Sequence, residues 1–90
     1  MNLARISQRM SEVDGWAIEV DSLAKDWEFS NFKESIDFVN KIGEIAERNN
    51  HHPMIIIDYN RVHLQLTTHE EKGISEKDFN LAVDIDKIGK

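Results

Sequence analysis

Cysteine is absent from this chain of 90 residues. That excludes disulfides, thiolate metal ligands and a cysteine nucleophile, and it fits a reducing compartment. A single proline, Pro53, and four glycines leave no Pro/Gly/Ser-rich linker, and no repeat or low-complexity segment divides the chain. One domain spanning 1–90 is expected. No apolar run approaches the ~20 residues of a membrane span, and the N-terminal part carries charges throughout with no signal-peptide core. These absences imply a soluble, cytoplasmic protein without a membrane partner. Basic residues are also scarce: 11 Lys and Arg face 17 Asp and Glu, a net charge of -6. No basic cluster forms, which argues against direct nucleic-acid binding. A chain this small buries a limited share of its surface, so contacts between copies are a source of extra stability.

What is present is patterned. Leu3, Ile6, Met10 and Val13 recur at helical spacing, and Asp14-Gly15 stops that helix. Trp16, Ile18 and Val20 alternate. After a turn at Asp21-Ser22, Leu23, Trp27 and Phe29 share one parity, which predicts a hairpin whose apolar face is interrupted by Lys25. Both tryptophans read as core. Asn31 caps the next helix with Glu34 completing a box-like pattern, and Phe32, Ile36, Val39, Ile42, Ile45 and Ala46 make its stripe as far as Arg48. Gly43 in mid-helix predicts close approach of another backbone, within the chain or across an oligomer interface. Ser75 and Asp78 read as the cap of a last helix with an Ile74/Phe79 staple, and Leu81, Ala82, Ile85 and Ile88 follow on its apolar face. The order of elements is α-β-β-α-β-β-α. This predicts an α+β fold in which a four-stranded antiparallel sheet carries three helices on one face.

The second hairpin organises the rest. Met54-Ile55-Ile56-Ile57-Asp58-Tyr59 and Val62-His63-Leu64-Gln65-Leu66-Thr67 are β-prone runs on either side of Asn60-Arg61, and Asn tolerates the positive φ of a tight turn. That turn pairs Tyr59 with Val62, Ile57 with Leu64 and Ile55 with Leu66, giving one wholly apolar face. Tyr59 ends that face as packing, whereas Met54 and Ile56 on the other face predict an apolar patch for a partner subunit or ligand. Continued outward, the register sets His52 opposite His69 with His51 beside them, so three of the four histidines gather at the open end. His63 lies roughly 20 Å from His69 along the strand at about 3.3 Å per residue, and it reads as a half-exposed sheet residue.

Three chemistries suit such a cluster. Imidazole both donates and accepts protons near neutral pH, which makes acid-base catalysis one. Three imidazoles can bind zinc, although adjacent histidines on extended backbone point to opposite faces and Pro53 biases His52 to be extended. The third role is structural closure of the sheet edge.

The spacing Glu47, three residues, His51-His52-Pro53, five residues, Tyr59, nine residues, His69, then Asp78 resembles the signature of the pterin-4a-carbinolamine dehydratases. Gly15-Trp16, Trp27-Glu28-Phe29-Ser30-Asn31-Phe32, Tyr59-Asn60-Arg61-Val62, Thr67-Thr68-His69-Glu70 and Gly73-Ile74-Ser75-Glu76-Lys77-Asp78 extend the likeness over 15–85. The resemblance implies the same α+β fold and dehydration of 4a-hydroxytetrahydropterin (4a-hydroxytetrahydrobiopterin) to quinonoid dihydropterin, the recycling step after aromatic amino-acid hydroxylation. It implies no metal and no cofactor, the pterin being the substrate. Carried over residue by residue, it makes His51 and His52 the acid-base pair with His69 assisting. It places Pro53, Thr68, His69 and Glu70 with those two histidines around the pterin. Glu47 is then either a modulator of the histidines or a solvated carboxylate, and Asp78 either a support of the site or a helix N-terminal carboxylate favoured by the dipole. Relatives form dimers through the sheet and tetramers through helices, so a homodimer or homotetramer is implied. Some also partner a transcription factor, which keeps open a non-catalytic interaction module.

Overall fold

The computed structural model describes residues 1–88. Its elements are α1 (Leu3–Met10), β1 (Ala17–Glu19), β2 (Ser22–Glu28), α2 (Phe32–Asn49), β3 (Met54–Asp58), β4 (Arg61–Leu66), a short 3-10 turn (His69–Glu71) and α3 (Glu76–Asp86). The four strands form one antiparallel sheet in the order β1-β2-β4-β3, with the helices on one face, as the element order predicts. Leu23, Val62, Leu64 and Leu66 from the sheet meet Phe38, Ile42, Ile45, Phe79, Leu81 and Ile85 from α2 and α3 in the core. Each such side chain removed from water contributes about 1.5–3 kcal/mol. On the other face Met54 and Ile56 stay 47% and 48% exposed, beside Gln65 and His63.

The caps fall where the side chains predict them. Asn31 accepts a hydrogen bond from the Glu34 amide, and Ser75 and Asp78 form a reciprocal capping box on α3. Glu34 closes its own loop one residue further back than a standard box, accepting from the Ser30 amide at 2.9 Å. α1 stops at Met10, short of the Asp14-Gly15 signal, and leaves Val13 to pack from the following turn. Its Leu3 is solvent-exposed, while Arg9 is buried against Phe79 and Glu76.

Both hairpin registers differ from the sequence expectation. The first turn lies at Val20-Asp21, because Glu19 pairs with Ser22 and Ile18 with Leu23. Thr67 Oγ1 donates to the Asp21 carbonyl at 2.8 Å and fixes that turn. Val20 sits there at φ 57 and almost fully exposed, and Ile18 is 47% exposed, so the expected alternating face buries only Trp16. The second turn lies at Tyr59-Asn60, with Asp58 opposite Arg61, Ile57 opposite Val62 and Ile55 opposite Leu64. This shift of two residues preserves the apolar face, which is why hydrophobic pattern alone does not choose between the registers. Asn60 decides it: its carbonyl accepts from the Phe29 amide at 2.7 Å and its side-chain amide donates to the Phe29 carbonyl at 3.0 Å. Tyr59 is accordingly an exposed turn residue at φ 53 and not packing.

Three further expectations change. A Cβ on Gly43 would meet open space, so among the described residues no backbone approaches it. The α2 stripe turns so that Ser35 and Phe38 are buried while Phe32 is half exposed. Lys25 does not spoil the inner face of β2. Its ammonium lies over Trp27 and Trp16 at 5.1 and 5.8 Å and reaches Asp86 Oδ1 at 3.1 Å, so the stem is covered and the charge paired.

Candidate active site

The end of α2 aims the histidines. Asn49 bonds the Ile45 carbonyl and Asp84 of α3, fixing the last turn. Asn50 then adopts the left-handed conformation, φ 50 and ψ 41, a conformation asparagine tolerates at a helix terminus. The chain turns there and holds the His51 amide 3.2 Å from the Ala46 carbonyl. From this point the two histidines diverge, as expected for adjacent residues before a proline.

His51 points inward. Only 13% of its side chain is exposed, and its Nε2 lies 2.6 Å from Oδ1 of the wholly buried Asp78. The other oxygen, Oδ2, accepts from the Ser75 amide and from Thr68 Oγ1, each at 2.9 Å. Thr68 Oγ1 in turn stands 2.6 Å from Ser75 Oγ. Asp78 therefore closes the helix cap with one oxygen and bonds His51 with the other. His52 points outward and pairs through Nε2 with Glu47, one turn back on α2. Both partners are largely exposed, so Glu47 is at once solvated and bound to a histidine.

His69 arrives by another route than strand pairing. The β3–β4 ladder ends at Met54 and Gln65. Beyond it, Thr68 and Gly73 exchange backbone hydrogen bonds of 3.0 and 3.3 Å, closing a small loop whose 3-10 turn starts at His69. The result is a shallow cleft of about 220 Å³ lined by Asn50, His51, His52, Thr67, His69 and Glu70. Of the sequence-predicted residues, the three histidines and Glu70 line it. Pro53 follows the histidine pair into β3, and Thr68 and Asp78 are buried behind His51. Asn50, Thr67 and Ser75 were not singled out as site residues. Asn50's tolerance of left-handed backbone and Ser75's capping signal were both visible, but neither signalled proximity to a histidine.

Among the described residues no group of three His, Asp or Glu side chains is arranged to hold a metal ion. Each histidine of the adjacent pair is directed at its own carboxylate instead. His63 stands on the outer sheet face, bonded to Asp26 at 2.7 Å and to Gln65 at 3.1 Å, outside the residues that line the cleft.

The family profile of pterin 4 alpha carbinolamine dehydratase matches residues 1–88. The chain belongs to that family. A relative from Sulfolobus acidocaldarius is 49% identical over 83 residues, covering 92% of this chain and 91% of its own. One from Thermomicrobium roseum is 49% identical over 79 residues, covering 88% and 85%. Both bear the name "Putative pterin-4-alpha-carbinolamine dehydratase". Among solved structures, a transcriptional coactivator/pterin dehydratase from Brucella melitensis superposes with a TM-score of 0.92 at 26% identity, covering 100% of this chain and 98% of that one. A pterin dehydratase-like protein identified as a RuBisCO assembly factor in the alpha-carboxysome shares the fold, with a TM-score of 0.65 at 18% identity over 81% of this chain and 84% of that one.

Proposed function

We propose that this protein dehydrates 4a-hydroxytetrahydropterin to quinonoid dihydropterin, with His51, His52 and His69 as the groups that move protons. The observation that carries the reading is the meeting of these three imidazoles in one cleft, one of them held from behind by a buried carboxylate. Hydroxide leaves poorly, so the 4a oxygen must gain a proton as its C–O bond breaks, and the ring must lose one for the quinonoid product to form. Water and the dihydropterin are the products, and no net proton is consumed. Two imidazoles on separate carboxylates suit a donor and an acceptor acting in one step. Pro53, Thr68 and Glu70 complete the pterin site in this reading: Glu70 from the cleft wall, Pro53 and Thr68 through the backbone around the histidines. The enzyme works in the cytoplasm in tetrahydropterin recycling, as a homodimer or homotetramer.

A second reading is an interaction module, favoured by the half-exposed Met54 and Ile56 on the sheet face without helices and by the coactivator description of the Brucella melitensis protein. The test is the rate of quinonoid dihydropterin formation from chemically generated 4a-hydroxytetrahydropterin, with wild type beside His52→Ala. Acceleration lost in the variant supports the dehydratase. A folded wild type that does not exceed the spontaneous rate favours the module.

A further inference from the structure

The sheet face without helices has a chemistry of its own. The strand registers set Ala24, Gln65 and Met54 in one row across it, Asp26, His63 and Ile56 in the next, and Glu28, Arg61 and Asp58 in the last. Met54 and Ile56, 47% and 48% exposed, are neighbours along β3, roughly 7 Å apart at the rise of an extended strand. Around them the charge is mostly of one sign. Asp26, Glu28 and Asp58 are exposed, and Glu19 lies on the same face of β1, opposite Ser22. His63 holds Asp26, whereas among the described residues Glu19, Glu28 and Asp58 have no ion pair. Arg61 is the only Lys or Arg among the strand residues of this face. A hollow of about 490 Å³ opens at that end of the sheet, lined by Asp26, Trp27, Glu28 and Arg61. It joins two carboxylates to an indole, which suits the apolar stem and charged head of a lysine or arginine.

We propose that this face docks a basic amphipathic helix of a protein partner. Two apolar side chains of that helix lie on Met54 and Ile56, and its Lys or Arg residues meet Glu28, Asp58 and the hollow. Positions i and i+4 of a helix stand about 6 Å apart along its axis, close to the spacing of Met54 and Ile56, and the following turn reaches Asp58. Charge disfavours the other occupants. Two copies of this chain set face to face would bring their carboxylates together, which opposes association. Anionic lipid and nucleic acid are repelled in the same way. The proposal stands whether or not the cleft turns over a pterin, since none of these residues lines the cleft.

The test uses the full chain and a labelled synthetic helical peptide with leucines at i and i+4 and lysines in the flanking turns, followed by fluorescence anisotropy. Expected is saturable binding to wild type that weakens as salt is added. Ile56→Ser and the double variant Glu28→Gln/Asp58→Asn should each weaken it on the order of tenfold. Both variants alter exposed side chains, and circular dichroism verifies that they fold. Amide shifts in the 15N spectrum of wild type should centre on Met54, Ile56 and Asp58, and a peptide with glutamates in place of the lysines should not bind. Absence of saturable binding at millimolar peptide overturns the proposal, as do equal binding by both variants and shifts centred on the helices. Loss of self-association in Ile56→Ser, with no peptide bound by wild type, overturns it too and assigns the face to a second copy.

Discussion

His51 Nε2 lies 2.6 Å from Asp78 Oδ1, while the other oxygen of that carboxylate closes the cap of α3. One buried side chain thus links the end of α2 to the start of α3 across the candidate site. The bond of His52 to Glu47 looks similar on paper, but it is made in solvent. Burial separates the two: an exposed pair is worth at most about 1 kcal/mol, whereas an unmatched group in the interior costs about 1–3 kcal/mol.

Asp78→Asn should therefore lower stability by about 1–3 kcal/mol and turnover with it, because an amide nitrogen must then face a donor at one of the two oxygen positions. Glu47→Gln should change stability by less than about 1 kcal/mol. Urea denaturation of the two variants checks the contrast, and equal losses would contradict the difference in burial.

Among the histidines, His51→Ala and His52→Ala should each reduce dehydration by about 100-fold or more, the usual worth of a positioned acid or base. His51→Ala should also cost measurable stability by leaving Asp78 Oδ1 without its donor. His63→Ala should leave turnover near wild type, since its ring serves Asp26 and Gln65 on the outer face. A His63 variant as impaired as the other two would place the chemistry on the wrong face of the sheet.

Acid should act partly through Glu76. Its hydrogen bond from Arg5, opposed by some desolvation and reinforced by Arg9, holds the carboxyl below its ordinary value of 4.5. The folded state then binds the proton less readily than the unfolded chain. The contribution is fully present above the unfolded value and is lost as pH falls through the lowered one. Comparing the stability of wild type and Glu76→Gln between pH 7 and pH 3 should show a gap that closes on acidification. Added salt should narrow the gap at neutral pH, because the pair is exposed.

Val20 holds a left-handed turn conformation at φ 57 with 93% of its surface exposed. A β-branched side chain in that region costs about 1 kcal/mol or more, and asparagine adopts it more readily. Val20→Asn should raise the midpoint of thermal unfolding without touching the buried core. A lower midpoint would mean that the valine makes a contact worth more than the strain.

Much of the fold was legible because its signals are local. Helical spacing in 3–13 and 32–48, the caps at Asn31 and Ser75, and the β-prone runs before and after Asn60 depend on residues a few positions apart. They specify the element order and even the inner faces of β2, β3 and β4, though not of β1, which is exposed throughout. The cluster of His51, His52 and His69 was legible as well, but through an incorrect ladder. The two-residue shift in the hairpin left parity intact, and a loop closed by Thr68 and Gly73 brought His69 to the cleft instead.

The amino-acid sequence by itself determined the family, the α+β order of elements and the three histidines, since each is carried by residue type and spacing. Tertiary structure alone decided which hairpin register wins, through the two bonds between Asn60 and Phe29. It alone covered the Lys25 charge with two indole rings and Asp86. It alone set one histidine on a buried carboxylate and its neighbour on an exposed one. His51 with Asp78, Phe29 with Asn60 and Lys25 with Asp86 stand 27, 31 and 61 residues apart, and no local preference encodes a meeting at that separation.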